Sequence, residues 1–497
     1  MRYISTRGGC KPVTASQAII QGLSNDGGLF VPESIDFSLG KPLAELVTLP
    51  YIDLAREILR PFLDFSEEEL ALCVKQAYAP ERFDNPLIAP LVTPFGDNVH
   101  FLELFHGPTM AFKDMALSIL PHLMLTAEKS MPAKSDNKQT IILTATSGDT
   151  GKAALEAFCN IKGISIVVFY PQDGVSAMQK HQMVTQEGDN TYVFGVEGNF
   201  DDAQTGVKKI FSDYSGISTS NGVASDVPNG VKFSSANSIN IGRLLPQIVY
   251  YFYAYGQLAQ KGTVKPGEPV HFVVPTGNFG NILAGYYAKQ MGLPISKLVC
   301  ASNDNKVLYD FFHTGAYDKN RPFYCTISPS MDILVSSNLE RLLFHATDAE
   351  SVRAMMDGLA EGGRFETTAQ FTDFYGAYAD EHAVQQAIAD CAKKGYIIDP
   401  HTAVAYHAGQ QYIAESGDNT PQVIISTASP YKFAEDVLEA LGKTVPDGGF
   451  MESVQALYEA SGVPIPEGAA QLANKKIRHT KVCRVDEMKS VVESILI

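Results

Sequence analysis

Residues 141–152 read IILTATSGDTGK: a short apolar run, a Gly-, Ser- and Thr-rich turn, and a helix predicted from Lys152. Two later segments repeat this order, VHFVVPTGNFGNI at residues 270–282 and VIISTASPY at residues 423–431. Short continuous apolar runs are typical of buried parallel strands. Ligands of open parallel sheets bind at the carboxyl ends of the strands. The sequence therefore predicts an α/β protein with open sheets and three ligand-facing turns.

The composition is that of a globular chain with a large core. Of the 497 residues, 45% are hydrophobic and 19% are charged. The length predicts about three domains, or two large ones. The formal net charge of -16 disfavours nucleic-acid binding and electrostatic docking to anionic membranes, because both need clustered Lys and Arg. Any anionic ligand must therefore be held by local donors.

The spacing of the cysteines and the length of the apolar runs indicate the cellular compartment of the protein. The seven cysteines are widely spaced and form no C-x-x-C pair, which disfavours a zinc site and fits a reducing environment. No apolar segment of signal-peptide type follows Met1. The most apolar-aromatic run, Ile248–Tyr255, is far shorter than the ~20 residues that span a bilayer. We expect a cytoplasmic protein without a metal, with this run in the core or at a subunit interface.

Changes in composition divide the chain into three predicted regions, residues 1–90, 91–430 and 431–497. The first region contains predicted helices at Tyr51–Leu59 and Ser66–Ala77, and a proline-rich stretch then marks a boundary. The second is predicted as an α/β core of two subdomains. The third is predicted as a helical and strand extension that packs on that core.

The Gly-rich turns do not fit the common nucleotide motifs. The first lacks the P-loop pattern, because Thr146 stands at the first glycine position and Ala153 follows Lys152. The second, Gly277–Asn281, is G-x-x-G, and no acidic residue follows at the ~20-residue spacing that a dinucleotide ribose needs. A compact phosphate fits both turns, because glycine allows close approach and a helix start supplies N–H groups. A plain strand-to-helix connection is the alternative.

Lys113 differs from an ordinary surface lysine in its neighbours, which include Met110, Phe112, Met115 and Leu117. Apolar surroundings disfavour the ammonium form, so we expect the pKa of Lys113 to fall from ~10.4 toward the range useful for Schiff-base chemistry. The alternative is that the side chain reaches past its apolar neighbours to solvent.

Four segments in order resemble the motifs of the threonine synthase family, and further segments do so along nearly the whole chain. The four are Phe105–Asp114, Thr146–Gly151, Pro275–Asn281 and Ser426–Pro430. The further ones are Tyr3–Gly8, Asp26–Leu29, Asn237–Asn240 with Arg243, and Asp399–Val404. The resemblance fits the longer subgroup of the family, which has an extra amino-terminal region. We expect His106 to pack against and cap its loop, whereas His401 either starts a helix or contacts the cofactor region.

The resemblance implies fold type II of the pyridoxal-phosphate enzymes, in which two α/β domains hold pyridoxal 5'-phosphate in the cleft between them. Lys113 would hold the cofactor as an internal aldimine. Thr427 would contact the pyridine nitrogen through its hydroxyl, and Asp149 falls near the ring hydroxyl. The cofactor phosphate would be held by the second turn: Gly277, Asn278, Phe279, Gly280 and Asn281.

The activity implied by the resemblance is that of a lyase acting on phosphates. It would convert O-phospho-L-homoserine and water to L-threonine and phosphate, the last step of threonine biosynthesis, in a monomer or a homodimer. The expected substrate ligands are Ser147, Gly148, Thr150, Gly151, Asn240 and Arg243. Two alternatives are a related lyase for another amino-alcohol phosphate, and a colourless nucleotide-binding kinase or small-ligand binding module.

Overall fold

The fold is taken from a computed structural model that describes residues 1–35, 39–96, 98–131, 139–146, 148–214 and 231–495. The amino-terminal region combines a small antiparallel sheet, in the order β2-β1-β3, with four helices. Its elements are β1 (Arg2–Ser5), β2 (Val13–Thr14), α1 (Ala15–Gln21), β3 (Phe30–Pro32), α2 (Leu43–Leu46), α3 (Tyr51–Leu59) and α4 (Glu67–Ala77).

The described residues after this region form two larger sheets and their flanking helices. Up to the middle of the chain these are β4 (Leu91–Val92), β5 (Val99–Glu103), α5 (Asp114–Leu117), α6 (Leu120–Ser130), β6 (Thr140–Ala145), α7 (Asp149–Phe158), β7 (Ile164–Pro171), α8 (Ala177–Val184), β8 (Thr191–Glu197), α9 (Phe200–Tyr214), β9 (Lys232–Ser234) and α10 (Ile241–Gln260).

The second half continues the same alternation of strands and helices. Its elements are β10 (Val270–Pro275), α11 (Gly280–Gln290), β11 (Ile295–Ser302), α12 (Val307–Thr314), β12 (Ala316–Asp318), α13 (Leu339–Ala346), α14 (Ala349–Glu361), β13 (Arg364–Glu366), β14 (Phe374–Tyr378), α15 (Glu381–Lys393), α16 (Pro400–Ser416), β15 (Gln422–Ser426), α17 (Ala434–Ala440), α18 (Phe450–Ser461), α19 (Glu467–Ala470), β16 (Val482–Arg484) and α20 (Met488–Glu493).

Two sheets of mostly parallel strands make the α/β framework. One has the order β14-β11-β10-β15-β5-β4, with only β4 antiparallel to its neighbour. The other has the order β16-β8-β7-β6-β9, and its pairs are parallel. The residues of β6, β10 and β15 are buried, as expected for strands covered on both faces.

The three predicted strand–turn–helix units are present, with shifted helix starts. The first helix, α7, begins at Asp149, three residues before the predicted start at Lys152. The second, α11, begins at Gly280 rather than Ile282. After β15 the chain first makes a short 3-10 turn at Pro430–Phe433, and α17 begins only at Ala434. Two of the turns are therefore shorter than predicted, which places helix N–H groups closer to the strand ends.

In the amino-terminal region the structure confirms the two helices that local sequence signals predicted. Helix α3 has the predicted bounds, and α4 begins after Ser66, whose side chain forms a capping box with Glu69. The apolar-aromatic run Ile248–Tyr255 lies inside α10, where Tyr250, Tyr251 and Tyr255 are fully buried in the core of this chain. Within the described residues, the structure holds no helix with the length and hydropathy needed to cross a bilayer.

A buried arginine joins the amino-terminal region to the α/β framework. The Arg341 guanidinium donates to the backbone oxygens of Phe30 at 2.9 Å and Ile239 at 2.6 Å, and to the Asn338 side chain. One helix position earlier, Glu340 accepts a bidentate pair of hydrogen bonds from Arg7. The start of α13 is thereby attached to β3 and to the turn that follows β1.

We predict that Arg341→Ala lowers the free energy of unfolding by about 3 kcal/mol or more, because it leaves several buried acceptors without a donor. Arg364→Ala is the matched control, since that arginine pairs with Glu366 at the surface and its side chain is 54% exposed. Urea denaturation of both variants measures the difference. Equal midpoints for the two would contradict a structural role for Arg341.

Candidate active site

The loop that carries Lys113 is hydrogen-bonded to the turn that follows β15. Phe112 N donates to the Thr427 backbone oxygen at 2.8 Å, and Ser429 N donates to the Met110 oxygen at 3.1 Å. Lys113 Nζ in turn lies 3.8 Å from Asp149 Oδ2, at the start of α7. Three of the sequence motifs, from both sheets, therefore meet at one point.

Lys113 is largely buried, with 11% of its side chain exposed. Burial lowers the pKa of Lys113 to about 8, and the positive charges of Lys432 and Arg243 act in the same direction against the attraction of Asp149. This position rules out the alternative that the side chain extends freely into solvent. An amine that loses its proton near neutral pH is suited to act as a nucleophile and as a base.

Asp149 is an ionised carboxylate at the centre of the site. Its Oδ1 accepts hydrogen bonds from Lys432 Nζ at 2.6 Å and from Gln179 Nε2 at 3.0 Å. Burial alone would raise the pKa of Asp149, but the charges of Lys432 and Lys113 outweigh it and hold that pKa well below its usual range. Gly148, with φ near 133°, gives the Gln179 side chain room to lie against the turn.

Lys432 and Gln179 are site residues that the sequence analysis missed. Lys432 has no exposed side-chain surface, and its Nζ also donates to the Thr109 backbone oxygen at 3.0 Å. The signal that singled out Lys113 was present here as well, because Lys432 stands between Tyr431 and Phe433. No comparable signal surrounds Gln179, whose side chain also belongs to the capping box of α8.

The second turn, residues 277–281, has the geometry of a phosphate cradle. Phe279 takes a left-handed conformation with φ near 63°, α11 begins at the next residue, and no side chain in the described structure caps that helix start. Its first N–H groups are therefore available to an anion. Asn338 fixes the turn from outside by donating twice to the Asn278 backbone oxygen, at 3.1 and 2.8 Å.

Two residues of this turn have tight structural roles. A Cβ on Gly277 would stand 2.6 Å from the Ser330 backbone oxygen, so only glycine fits. The Asn281 side-chain oxygen accepts from the hydroxyls of Tyr250 and Tyr251 at 2.7 and 2.8 Å. Any anion contact by Asn281 must therefore come from its backbone or from its amide nitrogen, which has no hydrogen-bond partner in the described structure.

The first turn offers fewer anion donors than the sequence indicated. Thr146 Oγ1 accepts the N–H groups of Gly148 at 3.0 Å and Gly151 at 2.8 Å. These two expected substrate donors are thus already bonded within the turn. The N–H groups of Asp149 and Thr150, at the start of α7, stay candidates. Ser147 lies outside the described residues.

Asn240 and Arg243 both lie at the start of α10, but they differ in which of their side-chain polar atoms are bonded within the chain. The Asn240 side chain caps the helix through Gly242 N and donates to the Ile19 oxygen, which is a structural role rather than the expected substrate contact. Arg243 is buried, donates through one nitrogen to the Ala236 oxygen, and leaves Nε without a partner. Within the described part of the chain, no carboxylate forms an ion pair with it, and burial lowers its pKa to about 10.

His106 and His401 lie next to the site and form hydrogen bonds with groups around it. His106 bonds the carboxylates of Asp84 and Glu103 at 2.5 and 2.9 Å, where we had expected backbone contacts. Burial would lower the pKa of His106, but these two carboxylates raise it to about 9, so the imidazole is charged at neutral pH. His401 follows Asp399 at the start of α16 and accepts from Ser330 N at 3.2 Å. It thereby fixes the backbone that lies against Gly277.

Thr427 is buried and adjoins the Lys113 loop through its backbone oxygen. The proposed contact of its hydroxyl with the pyridine nitrogen stays a prediction. The residues at this point nevertheless fit pyridoxal phosphate. They combine a largely buried amine of lowered pKa, a phosphate-sized turn with free N–H groups, and a buried arginine that has no carboxylate partner among the described residues.

Comparison with protein families gives three matches that together extend over nearly the whole chain. The family described as "Pyridoxal-phosphate dependent enzyme" matches residues 82–429. The family "Threonine synthase N terminus" matches residues 2–78, and "Threonine synthase, C-terminal" matches residues 402–492.

Several curated proteins are similar over most of their length. Threonine synthase of Pseudomonas aeruginosa is 38% identical, over 88% of this chain and 90% of that protein. Threonine synthase of Saccharomyces cerevisiae is 36% identical over 99% and 98% of the two chains. Threonine synthase-like 1 of Homo sapiens is 41% identical over 86% of this chain, which spans only 58% of that longer protein.

Solved structures show the same architecture. The structure of pyridoxal-phosphate-bound threonine synthase from Brucella melitensis has a TM-score of 0.84 and 34% identity, over 100% of this chain and 98% of that one. Yeast threonine synthase has a TM-score of 0.86 and 34% identity, with the same coverage.

We predict that Gly277→Ala and Gly280→Ala separate the two functions of the second turn. An alanine at position 277 collides with backbone and should lower the melting temperature of the protein even before cofactor is added. An alanine at position 280 meets only ordinary contacts, the nearest at 3.6 Å, and should leave that temperature nearly unchanged. Both should weaken cofactor binding about tenfold or more, because an added methyl group restricts access to the backbone donors. Undiminished affinity in both variants would place the phosphate elsewhere.

Proposed function

The chain belongs to the threonine synthase family of pyridoxal-phosphate-dependent enzymes, and from that premise we propose that it converts O-phospho-L-homoserine and water to L-threonine and phosphate. The proposal includes the expectations that it is cytoplasmic and acts as a monomer or homodimer. Its substrate carries a phosphate, a carboxylate and an amine, so the site must supply cationic donors and a reactive amine.

The observation that carries the proposal is the excess of positive charge at the site. Three cations, Lys113, Lys432 and Arg243, stand against two buried carboxylates, Asp149 and Asp114, in a chain whose net charge is -16. Buried cations without carboxylate partners are unfavourable unless a ligand supplies the negative charge. A phosphorylated amino acid has the charge that this arrangement lacks.

The cofactor would be held by the Lys113 amine and by the turn at residues 277–281, with Thr427 and Asp149 beside its ring. When bound, pyridoxal phosphate supplies the electron sink that stabilises negative charge developing on the substrate carbons. The other requirements of the reaction fall to the side chains of this chain. They are to bind the two anionic groups, to orient the substrate and to move its protons.

Lys113 Nζ is the proposed base. Its pKa of about 8 leaves part of the amine unprotonated at neutral pH, so it can take the proton from Cα of the substrate and then from Cβ. Phosphate then leaves from the γ-carbon. A proton returns to Cγ, the hydroxyl of a water adds at Cβ and a proton returns to Cα, so that one water is consumed and one phosphate is released for each threonine.

Arg243 and the start of α7 are the proposed anion site. The free Nε of Arg243 and the N–H groups of Asp149 and Thr150 are donors that the protein itself leaves available. Charge-assisted hydrogen bonds from a guanidinium suit both a phosphate and a carboxylate.

Product analysis of the holoenzyme tests the reaction. Incubation with O-phospho-L-homoserine should release threonine and phosphate in equal amounts. Formation of 2-oxobutyrate and ammonia without threonine would instead favour a related lyase for another amino-alcohol phosphate. A purified protein with no visible absorption would favour a kinase or a binding module. Lys113→Ala is the control, and its turnover should fall by several decades because the covalent catalyst is lost.

We predict that Arg243→Gln raises KM for the phosphorylated substrate at least about tenfold, because one charge-assisted contact contributes roughly 1.5–3 kcal/mol. Cofactor affinity should change much less. Lys180→Gln is the matched control, since Lys180 Nζ donates to the Gln172 backbone oxygen and not to the site. Steady-state kinetics and cofactor titration separate the two effects. An unchanged KM would remove Arg243 from the substrate site.

A further inference from the structure

Lys432 is a second buried lysine at the site, and its ammonium contacts two oxygens of the described residues. Its Nζ lies 2.6 Å from Asp149 Oδ1 and donates to the Thr109 backbone oxygen at 3.0 Å. Thr109 belongs to the loop that carries Lys113, whereas Asp149 belongs to the turn after β6. Lys432 therefore fixes the distance between a loop of one sheet and a turn of the other.

The two oxygens of Asp149 have unequal partners. Oδ1 is held by Lys432 and by Gln179 Nε2, whereas Oδ2 lies 3.8 Å from Lys113 Nζ. Charge-assisted N–H to carboxylate bonds are normally about 2.7–2.9 Å long. The contact between Asp149 and Lys113 is therefore about one ångström longer than a direct charge-assisted hydrogen bond.

We propose that Lys432 is a positioning residue that holds Asp149 and Thr109 so that the carboxylate does not form a close ion pair with Lys113. A closed pair would hold the Lys113 ammonium in its charged form and block its reaction. The inference rests on the proposed function only in taking Lys113 as the lysine that binds the cofactor.

The charged groups that face Lys113 determine how its pKa should change when Lys432 is lost. They come from Asp149, Lys432 and Arg243, whereas Asp114, which accepts two hydrogen bonds from Thr109, interacts with Lys432. Loss of Lys432 removes a cation that lowers the pKa of Lys113 and frees a carboxylate that raises it. Both effects favour the protonated form of the Lys113 nitrogen, so its titration should move to higher pH.

The test is a pH titration of the visible absorbance of the holoenzyme, which reports protonation at the nitrogen of Lys113 and needs no substrate. In Lys432→Gln the midpoint should rise by about one pH unit or more, as expected for an opposite charge brought within contact. Lys432→Arg keeps the charge and should stay close to the wild-type midpoint. In the double variant Asp149→Asn, Lys432→Gln the midpoint should return to the wild-type value or below it. An unmoved midpoint in a folded Lys432→Gln protein would overturn the proposal.

Removal of Lys432 alone leaves the buried charge of Asp149 uncompensated, so Lys432→Gln could fail to fold. The double variant keeps the proposal testable in that case. If Lys432→Gln does not fold, the double variant is compared with Asp149→Asn. The proposal predicts that the double variant titrates at most about half a pH unit above Asp149→Asn, since without the carboxylate only the direct effect of the Lys432 charge on Lys113 is left. A larger difference would mean that this direct effect dominates, and would overturn the proposal. Borohydride reduction and peptide mapping show separately whether Lys113 carries the cofactor. Attachment at another lysine would reject the proposed function itself.

Discussion

The Asp149 carboxylate is the point on which the site depends. It stands at the start of α7, on one sheet, and faces cations carried by loops of the other sheet. A buried carboxylate without these partners would be strongly unfavourable, and the same holds for the lysines without the carboxylate. The mutual dependence of these charges fixes the relative position of the two sheets at the cleft. Together with burial, which has the larger effect, these charges also shift the pKa of Lys113, the amine that has to react.

Local sequence patterns predicted the strands of the α/β framework and the burial of the central lysine of the site. The apolar runs before residues 146, 276 and 426 gave the buried strands, and the apolar neighbours of Lys113 gave its burial. These features depend on residues that are close in sequence, where periodicity and turn chemistry are informative. The capping box at Ser66 belongs to the same class.

The rest depends on contacts between distant segments. Nothing near Lys432 in the sequence indicates that its ammonium meets Thr109, 323 residues earlier, or Asp149. The Thr146 hydroxyl could not be assigned either, because either an anion or the turn itself can bond the N–H groups of Gly148 and Gly151. Asn240 has the same ambiguity, and only the fold shows that it caps α10. A motif marks the position of a polar side chain, whereas its partner is decided by tertiary structure.

The long separation between Lys432 and its partners has a consequence for the newly synthesised chain. Thr109 and Asp149 leave the ribosome hundreds of residues before Lys432 does, and the strand that precedes Lys432, β15, lies between β5 and β10 in its sheet. Until that strand is inserted, Lys432 cannot reach Asp149 or Thr109. The buried setting that lowers the pKa of Lys113 is therefore incomplete until the carboxy-terminal part of the chain has joined the sheet.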